Sequence, residues 1–383
     1  MSIYDESEEF HRKLRGKLSI TPKVEINDKK ALSLAYTPGV AHVSRLIADD
    51  KSKVYDYTSK WNSVAIVSDG SRVLGLGNVG PEAAMPVMEG KAMIFKQFGN
   101  VDAYPLCIDV HTSDEIAAVV KAIAPTFGGI NLEDISSPKC FEVEDKVADI
   151  GIPVFHDDQH GTAIVTLAAL INALKVVGKK KDAKVAVLGA GAAGYGIITL
   201  LRSYGITDIV ATDSKGIIYE GRPSNDYYKS RIAGMTNIRK IKGDVKDAIS
   251  GTDVVVAVSG IKNLVTQEMI KSMNDKSILF VLTNPEPEIS YEDALEAGAE
   301  VVGTGRSDLP NQINNSLAFP GVFRGTLDAR AKKITPEMKI AAAEAIAALV
   351  EHPSAGKIVP STTDSIVHTK VAEAVKKACK KDQ

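Results

Sequence analysis

One stretch of the chain decides the fold: Lys184-Val185-Ala186-Val187-Leu188-Gly189-Ala190-Gly191-Ala192-Ala193-Gly194. Its apolar first half is typical of a buried strand, and glycines with the spacing G-x-G-x-x-G follow at once. An apolar helix then runs to Gly205, and residues 208–213 read as a second strand. That strand ends in Asp213, an acid about 20 residues beyond the glycines, as a Rossmann-type unit requires. The sequence therefore predicts an α/β fold here.

The glycines also predict a ligand. In this motif the first makes a tight turn, the second lets the backbone approach a pyrophosphate, and the third lets the helix pack on the strand. Amide groups at the helix N-terminus attract the phosphates. We therefore predict that a dinucleotide contacts Gly189, Ala190, Gly191, Ala192, Ala193 and Gly194. Asp213 is expected to accept hydrogen bonds from a ribose 2′-hydroxyl.

The rest of the second half continues this pattern. Further apolar strands are predicted at 253–260, 277–283 and 299–303, and closing helices at 335–349 and 364–376. Strand ends face the ligand crevice in such a sheet, which places Asn284 where substrate or nicotinamide would bind. We assign residues 161–383 to this Rossmann-type dinucleotide-binding domain.

The first half also alternates strands and helices. Residues 64–69 and 104–110 read as strands, and another strand ends near Asn131. Residues 81–98 fit one helix or two helices broken at Gly90. We predict a separate α/β domain over residues 1–160.

Carboxylates crowd the end of this first domain. Glu133 and Asp134 follow one strand end, and Asp157 and Asp158 follow another. Such groups repel one another, and their oxygens suit Mg²⁺ or Mn²⁺ rather than zinc. A purely structural alternative is that Asp157 or Asp158 caps a helix beginning near Gly161.

Three more residues are candidates, each with an ordinary alternative. Arg72 lies in a glycine-rich loop and could clamp a carboxylate, although most loop arginines are solvated. Lys91 follows Gly90 and could reach a cleft with a depressed pKa, or simply be exposed. Tyr36 precedes a Pro-Gly bend and could equally be a core aromatic.

Composition excludes several classes of partner. The 383 residues suggest two domains, and a net charge of -2 gives no reason to expect nucleic acid or an anionic membrane. Three separated cysteines indicate a reducing compartment. The N-terminus is acidic, unlike a signal peptide, and we expect no apolar run to approach the roughly 20 residues of a membrane span. We expect a cytoplasmic protein.

Taken together, these stretches resemble malic enzyme in its short prokaryotic form. The resemblance covers nearly the whole chain and rests on several motifs in the same order: Ala35-Tyr36-Thr37-Pro38-Gly39-Val40, Gly75-Leu76-Gly77, Glu89-Gly90-Lys91, Leu132-Glu133-Asp134, Phe155-His156-Asp157-Asp158-Gln159-His160-Gly161-Thr162, Thr283-Asn284-Pro285 and residues 315–321.

The resemblance implies metal-dependent oxidative decarboxylation of (S)-malate to pyruvate and CO₂ with NAD⁺ or NADP⁺, and decarboxylation of oxaloacetate as a second reaction. By the same resemblance, the roles of the candidate residues are as follows: Glu133, Asp134 and Asp158 ligate Mg²⁺ or Mn²⁺, Lys91 is the general base, Tyr36 is the general acid, Asp157 orients Lys91 or the metal shell, Arg72 binds a malate carboxylate, and Asn284 and Asn315 fix substrate and nicotinamide.

Cofactor choice and assembly are open at this level. Asp213 disfavours a 2′-phosphate while the nearby Lys215 offsets its charge, so we expect NAD⁺ with possible dual use. The family implies that residues 1–160 form a substrate-binding and dimerisation domain. It also implies at least a homodimer, with the site either within one subunit or shared. Two rival interpretations are a metal-independent dehydrogenase of amino acids or folates and a dinucleotide sensor without catalysis.

Overall fold

The computed structural model describes residues 2–73 and 75–379. It contains two mainly parallel sheets with helices packed on them, which confirms the predicted α/β class.

The first sheet is entirely parallel. Its strands are β1 (Ser63–Ser68), β2 (Asp102–Cys107), β3 (Gly129–Leu132) and β4 (Val154–His156). Their spatial order is β2-β1-β3-β4, so the carboxyl ends of β3 and β4 are neighbours. The helices of this half are α1 (Ile3–Leu14), α2 (Lys29–Ala35), α3 (Gly39–Asp49), α4 (Val54–Tyr57), α5 (Pro81–Gly99), α6 (Ser113–Ile123) and α7 (Lys139–Val147), with 3-10 turns at Lys51–Lys53 and Ser59–Asn62.

Helix α5 is continuous, so the alternative of a break at Gly90 is wrong. Pro81 stands at its start, where a fixed φ favours the helix and the missing N–H costs nothing. Ala84, Met88, Ala92 and Phe95 recur at helical spacing and are buried. This packing outweighs the low helix propensity of one internal glycine.

Helix α8 (Asp157–Val177) joins the two halves of the chain. It begins with Asp157 and Asp158 themselves, earlier than the predicted start near Gly161. By length and composition α8 could cross a membrane, which corrects our statement that no run approaches that length. Most of it is buried inside the protein, however, and a core helix meets the same criteria.

The second sheet surrounds the glycine motif. Its strands are β5 (Val185–Leu188), β6 (Ile209–Asp213), β7 (Gly216–Ile217), β8 (Val254–Ala257), β9 (Ile278–Val281) and β10 (Val301–Thr304). Their spatial order is β10-β9-β8-β5-β6-β7. The chain runs outward from β5 to β6 and β7 and then returns to place β8 on the other side of β5. Among the described strands of this sheet, only β7 is antiparallel to its neighbour. Ligands bind at the carboxyl ends of the strands at such a switch point.

The remaining helices cover this sheet and close the molecule. They are α9 (Ala192–Tyr204), α10 (Tyr227–Met235), α11 (Val245–Ile249), α12 (Gln267–Lys271), α13 (Tyr291–Glu296), α14 (Phe319–Asp328), α15 (Pro336–Ala348) and α16 (Ser365–Ala378), with a 3-10 turn at Asn315–Leu317. The rings of Phe319 and Phe323 on α14 pack against Phe95 on α5, with centroids 4.7 and 5.2 Å away. Since both halves share this core, the division at residue 160 stays a prediction.

His368 on α16 is a buried group that titrates. Its ring stacks on Phe98, and neither ring nitrogen has a hydrogen-bond partner among the described residues. Burial lowers its pKa from 6.5 to about 4, although Asp364 opposes the shift. The unfolded chain therefore takes up this proton more readily than the folded protein, so stability is lost as pH falls from 6.5 towards 4.

Replacing His368 with phenylalanine should reduce the loss of stability as pH falls below 6.5. We expect the loss of unfolding free energy between pH 7 and pH 5 to shrink by about 1–2 kcal/mol, because the variant has no such proton to bind. Urea unfolding at several pH values measures this. An unchanged pH dependence would contradict the assignment, even if the absolute stability changes.

Candidate active site

Four acidic side chains meet where β3 and β4 end. Glu133 and Asp134 follow β3, and Asp157 and Asp158 open α8 directly after β4. Carboxylate oxygens of Glu133, Asp134 and Asp158 lie within 4.8 Å of one another. These are the three residues expected to ligate a metal, and parallel pairing of β3 with β4 explains why they converge.

Hydrogen bonds hold this acidic cluster in place. The Asp134 backbone N–H donates to Asp158 Oδ2 at 2.9 Å, and Asn131 Nδ2 donates to Glu133 Oε2 at 2.7 Å. Asp134 has a φ of 54°, a left-handed conformation that Asp tolerates better than most residues.

The charge of the cluster favours a cation. Burial raises the pKa of Glu133 well above 4.5, and the nearby Asp158 and Asp157 raise it further despite the opposing Lys91. A hard divalent ion would relieve this repulsion, and three carboxylates are donors that Mg²⁺ and Mn²⁺ prefer. The residues present therefore fit such an ion.

Lys91 lies against this cluster. Its Nζ is 2.5 Å from Asp157 Oδ2, 2.8 Å from Glu133 Oε1 and 4.4 Å from the centre of the Phe319 ring. Burial lowers the pKa of Lys91, but the two carboxylates outweigh burial and the net shift is upward. The sequence did not predict this upward shift, because it does not show that both acids contact the ammonium directly. The depressed pKa expected for Lys91 beside a bound cation stays a prediction.

Asp157 is fully buried beside a glycine. A Cβ atom at Gly161 would lie 1.8 Å from Asp157 Oδ1 and 3.1 Å from Asn315 Cβ. Only glycine therefore leaves space for the Asp157 carboxylate one turn earlier on α8. The structure thus brings Asn315 next to Asp157 and the cluster.

Arg72 and Asn284 lie in the cleft between the two sheets. The Arg72 N–H donates to the backbone oxygen of Asp134 at 3.0 Å, while its Nη2 would be 3.2 Å from a Cβ at Gly260, just beyond β8. Asn284 follows β9, and its backbone oxygen would be 3.2 Å from a Cβ at Gly75. The glycine-rich loop of the first half thereby contacts the crevice loops of the second.

Tyr36 is not brought to the cluster by any contact that the structure shows. Its side chain is 66% exposed and makes no hydrogen bond within residues 2–73 and 75–379. It belongs to an N-terminal segment in which α1, α2, α3 and α4 contain no buried residue.

The glycine turn has the shape of a phosphate site. Gly189 has a φ of 108°, and a Cβ there would be 2.7 Å from the Val258 oxygen. A Cβ at Gly194 would be 1.8 Å from the Gly189 oxygen, so helix and turn touch. At Gly191 the nearest atom would be 3.7 Å away, which leaves the space over the helix N-terminus that a pyrophosphate needs. The residues present fit a dinucleotide.

Helix α9 also rests directly on α8. A Cβ at Gly196 would lie 2.2 Å from the backbone oxygen of Gln159, the residue after Asp158. The two backbones are therefore in contact between the glycine turn and the acidic cluster.

Asp213 has partners that the sequence did not suggest. It accepts hydrogen bonds from Arg222 Nη1 at 2.9 Å, Arg222 Nη2 at 2.6 Å and the Lys215 N–H at 2.8 Å, and Lys229 Nζ is 3.1 Å away. Burial raises the pKa of Asp213, but these partners, Arg222 foremost, lower it to about 2. Arg222 stands in an irregular loop, where no periodicity points to a partner.

A second buried group of charges was also missed. His160 contacts Glu144 Oε1 through Nε2 at 2.6 Å and Lys339 Nζ through Nδ1 at 2.9 Å. These contacts join α7, α8 and α15 at a position two residues after Asp158. Lys339 lies far away in sequence, so only the fold reveals the group.

Comparisons with known proteins agree with this geometry. The family model of the malic enzyme N-terminal domain matches residues 15–148, and that of the malic enzyme NAD binding domain matches residues 159–380. The bifunctional malic/malolactic enzyme of Bacillus subtilis is 55% identical, over 99% of this chain and 93% of its own length. The NAD-dependent malic enzyme of Geobacillus stearothermophilus is 49% identical, over 96% of this chain and 78% of its own.

Solved structures give the same result. The crystal structure of an NAD-dependent malic enzyme from Thermotoga maritima has a TM-score of 0.93 and 49% identity, covering 97% of this chain and 98% of that one. Further relatives include enzymes named as NADP-dependent malic enzymes. The chain belongs to the malic enzyme family.

Proposed function

We propose that this protein oxidatively decarboxylates (S)-malate to pyruvate and CO₂, with NAD⁺ or NADP⁺ as hydride acceptor and a divalent metal ion. The observation that carries the proposal is Lys91 Nζ lying between Asp157 and the presumptive ligand Glu133. A basic nitrogen at that place can take a proton from a hydroxyl group held beside the three carboxylates.

Each residue then has a defined task. Glu133, Asp134 and Asp158 would hold Mg²⁺ or Mn²⁺, which when bound supplies Lewis-acid stabilisation of negative charge on the C2 oxygen. Lys91 Nζ removes the C2 hydroxyl proton as hydride leaves for the nicotinamide. Asp157 orients Lys91.

The rest of the cleft positions the substrate and the cofactor. Arg72, which has a planar fork of donors, pairs with a malate carboxylate. Asn284 and Asn315 fix substrate and nicotinamide from the other side. Residues 189–194 bind the pyrophosphate, and Asp213 lies at the adenosine ribose. We take NAD⁺ as the principal acceptor, and we place the protein in the cytoplasm.

Lys91 must be neutral when it accepts the proton. In this structure both carboxylates favour its charged form. Glu133 can no longer stabilise the ammonium as strongly once its oxygens face a cation, so Lys91 should lose its proton more readily in the complete site.

The direct test is an absorbance assay at 340 nm with malate, Mn²⁺ and each cofactor separately. We expect reduction of the cofactor that stops when EDTA removes the ion and resumes when Mn²⁺ is restored. Pyruvate and lactate are both quantified, because a relative carries both malic and malolactic activities in its name. Binding of NAD⁺ with no malate-dependent reduction would favour a sensor, and full turnover in EDTA a metal-independent dehydrogenase.

We also propose that the protein works at least as a homodimer. The N-terminal segment exposes many large apolar side chains: Ile3, Tyr4, Phe10, Leu14, Leu18, Ile20, Val24, Ile26, Leu32, Leu34, Tyr36 and Val40. An apolar surface of this extent is typical of a protein interface. Tyr36 belongs to it, so we propose that Tyr36 serves the site of the partner subunit.

Mixed subunits test this sharing. Lys91 and the acids lie in one chain, so the informative pair is Tyr36→Phe with Lys91→Ala. Each variant alone should be inactive, whereas random heterodimers should recover about a quarter of wild-type activity, since half the dimers would carry one intact site of two. Activity is measured after co-refolding or subunit exchange. No recovery, with heterodimers verified by mass, would mean that each site lies within one chain.

A further inference from the structure

The carboxylate of Asp213 is saturated with donors. Oδ1 accepts from the Lys215 N–H and Arg222 Nη1, and Oδ2 faces Arg222 Nη2 and Lys229 Nζ. A carboxylate offers about four lone-pair positions, and four donors already occupy this one. Its side chain is only 8% exposed. A ribose hydroxyl could bond to it only by displacing one of these partners.

Arg222 is held as firmly as the acid it neutralises. Its Nε donates to Asn225 Oδ1 at 2.7 Å, and Nη1 also reaches the backbone oxygens of Gly216 and Ile217 at 3.3 and 3.4 Å. The side chain is 5% exposed. A bidentate Arg–carboxylate pair fixed on both sides is a built feature of this sheet edge, not a transient surface contact.

The charge at this edge is therefore positive. Asp213 and Asp226, whose Oδ2 lies 3.7 Å from Lys229 Nζ, contribute two negative charges. Arg222, Lys229 and the neighbouring Lys215 contribute three positive ones. The Lys229 side chain is 27% exposed and so remains reachable from solvent, and Lys215 is exposed beside it. An acid that excludes NADP⁺ does so by repelling the 2′-phosphate, which requires its charge to be unpaired.

We propose that Arg222 and Lys229 set cofactor specificity: by neutralising Asp213, they let the ribose pocket accept the 2′-phosphate of NADP⁺ as well as NAD⁺. This inference rests on the proposed dinucleotide binding and goes beyond it. Arg222 acts through Asp213, and Lys229 contacts the phosphate itself. Asp213, which on sequence grounds would exclude NADP⁺, serves here to hold the loop that carries both cations.

Binding measured without turnover tests the proposal. Calorimetry on the whole protein, without malate or metal, gives Kd values for NAD⁺, NADP⁺, 5′-AMP and 2′,5′-ADP. For the wild type we expect NADP⁺ to bind within about fivefold of NAD⁺, since a paired carboxylate repels a phosphate only weakly. We expect 2′,5′-ADP to bind more tightly than 5′-AMP.

Two variants should move the preference in opposite directions. Arg222→Gln leaves Asp213 charged, and the affinity for NADP⁺ should fall by about tenfold or more while that for NAD⁺ changes by less than about threefold. Asp213→Ala removes the acid and frees Arg222, so the affinity for NADP⁺ relative to NAD⁺ should rise about tenfold.

The chain offers a matched control. Arg239 pairs with Asp208 at 2.8 Å at the amino end of the same strand β6, away from the ligand crevice. Arg239→Gln should leave the ratio of the two Kd values unchanged, and thermal melting of every variant checks folding.

The results distinguish a failure of the specificity inference from a failure of the proposed dinucleotide binding. Equal weakening of NAD⁺ and NADP⁺ in Arg222→Gln, or no change in either, would overturn the inference and leave Arg222 a purely structural residue. A wild type that binds NAD⁺ but rejects NADP⁺ by about a hundredfold or more would overturn it as well. A wild type that binds neither dinucleotide would overturn the proposed function and this inference with it.

Discussion

Replacing Lys91 with methionine should lower kcat for malate oxidation by about 10²–10⁴-fold, the usual loss when a positioned general base is removed. Methionine keeps most of the side-chain volume beside Phe319 but cannot accept the hydroxyl proton. It also leaves Asp157 and Glu133 facing each other without the ammonium that contacts both. We therefore expect a lower melting temperature as well, which divalent ions should partly restore.

Oxaloacetate separates the two effects of this change. Oxaloacetate has no C2 hydroxyl proton, so its decarboxylation should fall far less than malate oxidation. Lys96→Met is the matched control, because Lys96 lies on the same helix α5 but is exposed and pairs with Asp102. If Lys91→Met lost both reactions equally, with the fold intact, Lys91 would be a structural or binding residue rather than the base.

Replacing Asp158 with asparagine should abolish most metal binding and with it activity. The variant keeps an oxygen that can accept from the Asp134 N–H, so the loop should hold its shape. It loses one of the three negative donors, and we expect Mn²⁺ affinity to fall about 100-fold and kcat/KM about 10³-fold. Titration of Mn²⁺ followed by electron paramagnetic resonance, without malate, measures the first effect independently of turnover.

Asp149 provides the control for this second change. Its carboxylate is largely exposed and pairs with Lys333 on the surface, so Asp149→Asn should change neither Mn²⁺ affinity nor rate. Unaltered Mn²⁺ binding in Asp158→Asn would remove Asp158 from the set of ligands. Asp158 would then have a structural role only, as an acid in the first turn of α8 that accepts a hydrogen bond from the Asp134 N–H, and not the capping role that the sequence allowed, since the N-cap of α8 is His156.

Much of the fold could be predicted because its central strands are buried on both faces. Such strands are continuous apolar runs, and the run ending at Asp213 was placed within one residue of β6. Helix α5 was ambiguous, since Gly90 lowers local propensity and only tertiary packing decides that the helix continues. The start of α8 was placed too late, because its first residues are polar and lack the apolar pattern that revealed the rest.

The site was predictable only in part. The sequence showed that residues 133, 134, 157 and 158 follow two strand ends, but only the structure shows that these strands are neighbours. The choice of residues 133, 134 and 158 as metal ligands came from the family resemblance and stays a prediction. The direction of the Lys91 pKa shift could not be predicted, because it depends on which carboxylates touch the ammonium. Arg222 was missed for a similar reason. It lies in an irregular loop, where no hydrophobic periodicity predicts that its side chain contacts Asp213.

Gly196 determines how the dinucleotide-binding turn is positioned relative to the acidic cluster. At Gly196 the backbone of α9 lies directly against the backbone oxygen of Gln159 on α8. This contact fixes the distance between the glycine turn and the acids. Even one methyl group at that point would force the two helices apart, and we expect that movement to misalign a bound dinucleotide with the acidic cluster. The absence of a side chain at Gly196 thus sets how closely the glycine turn approaches the acids.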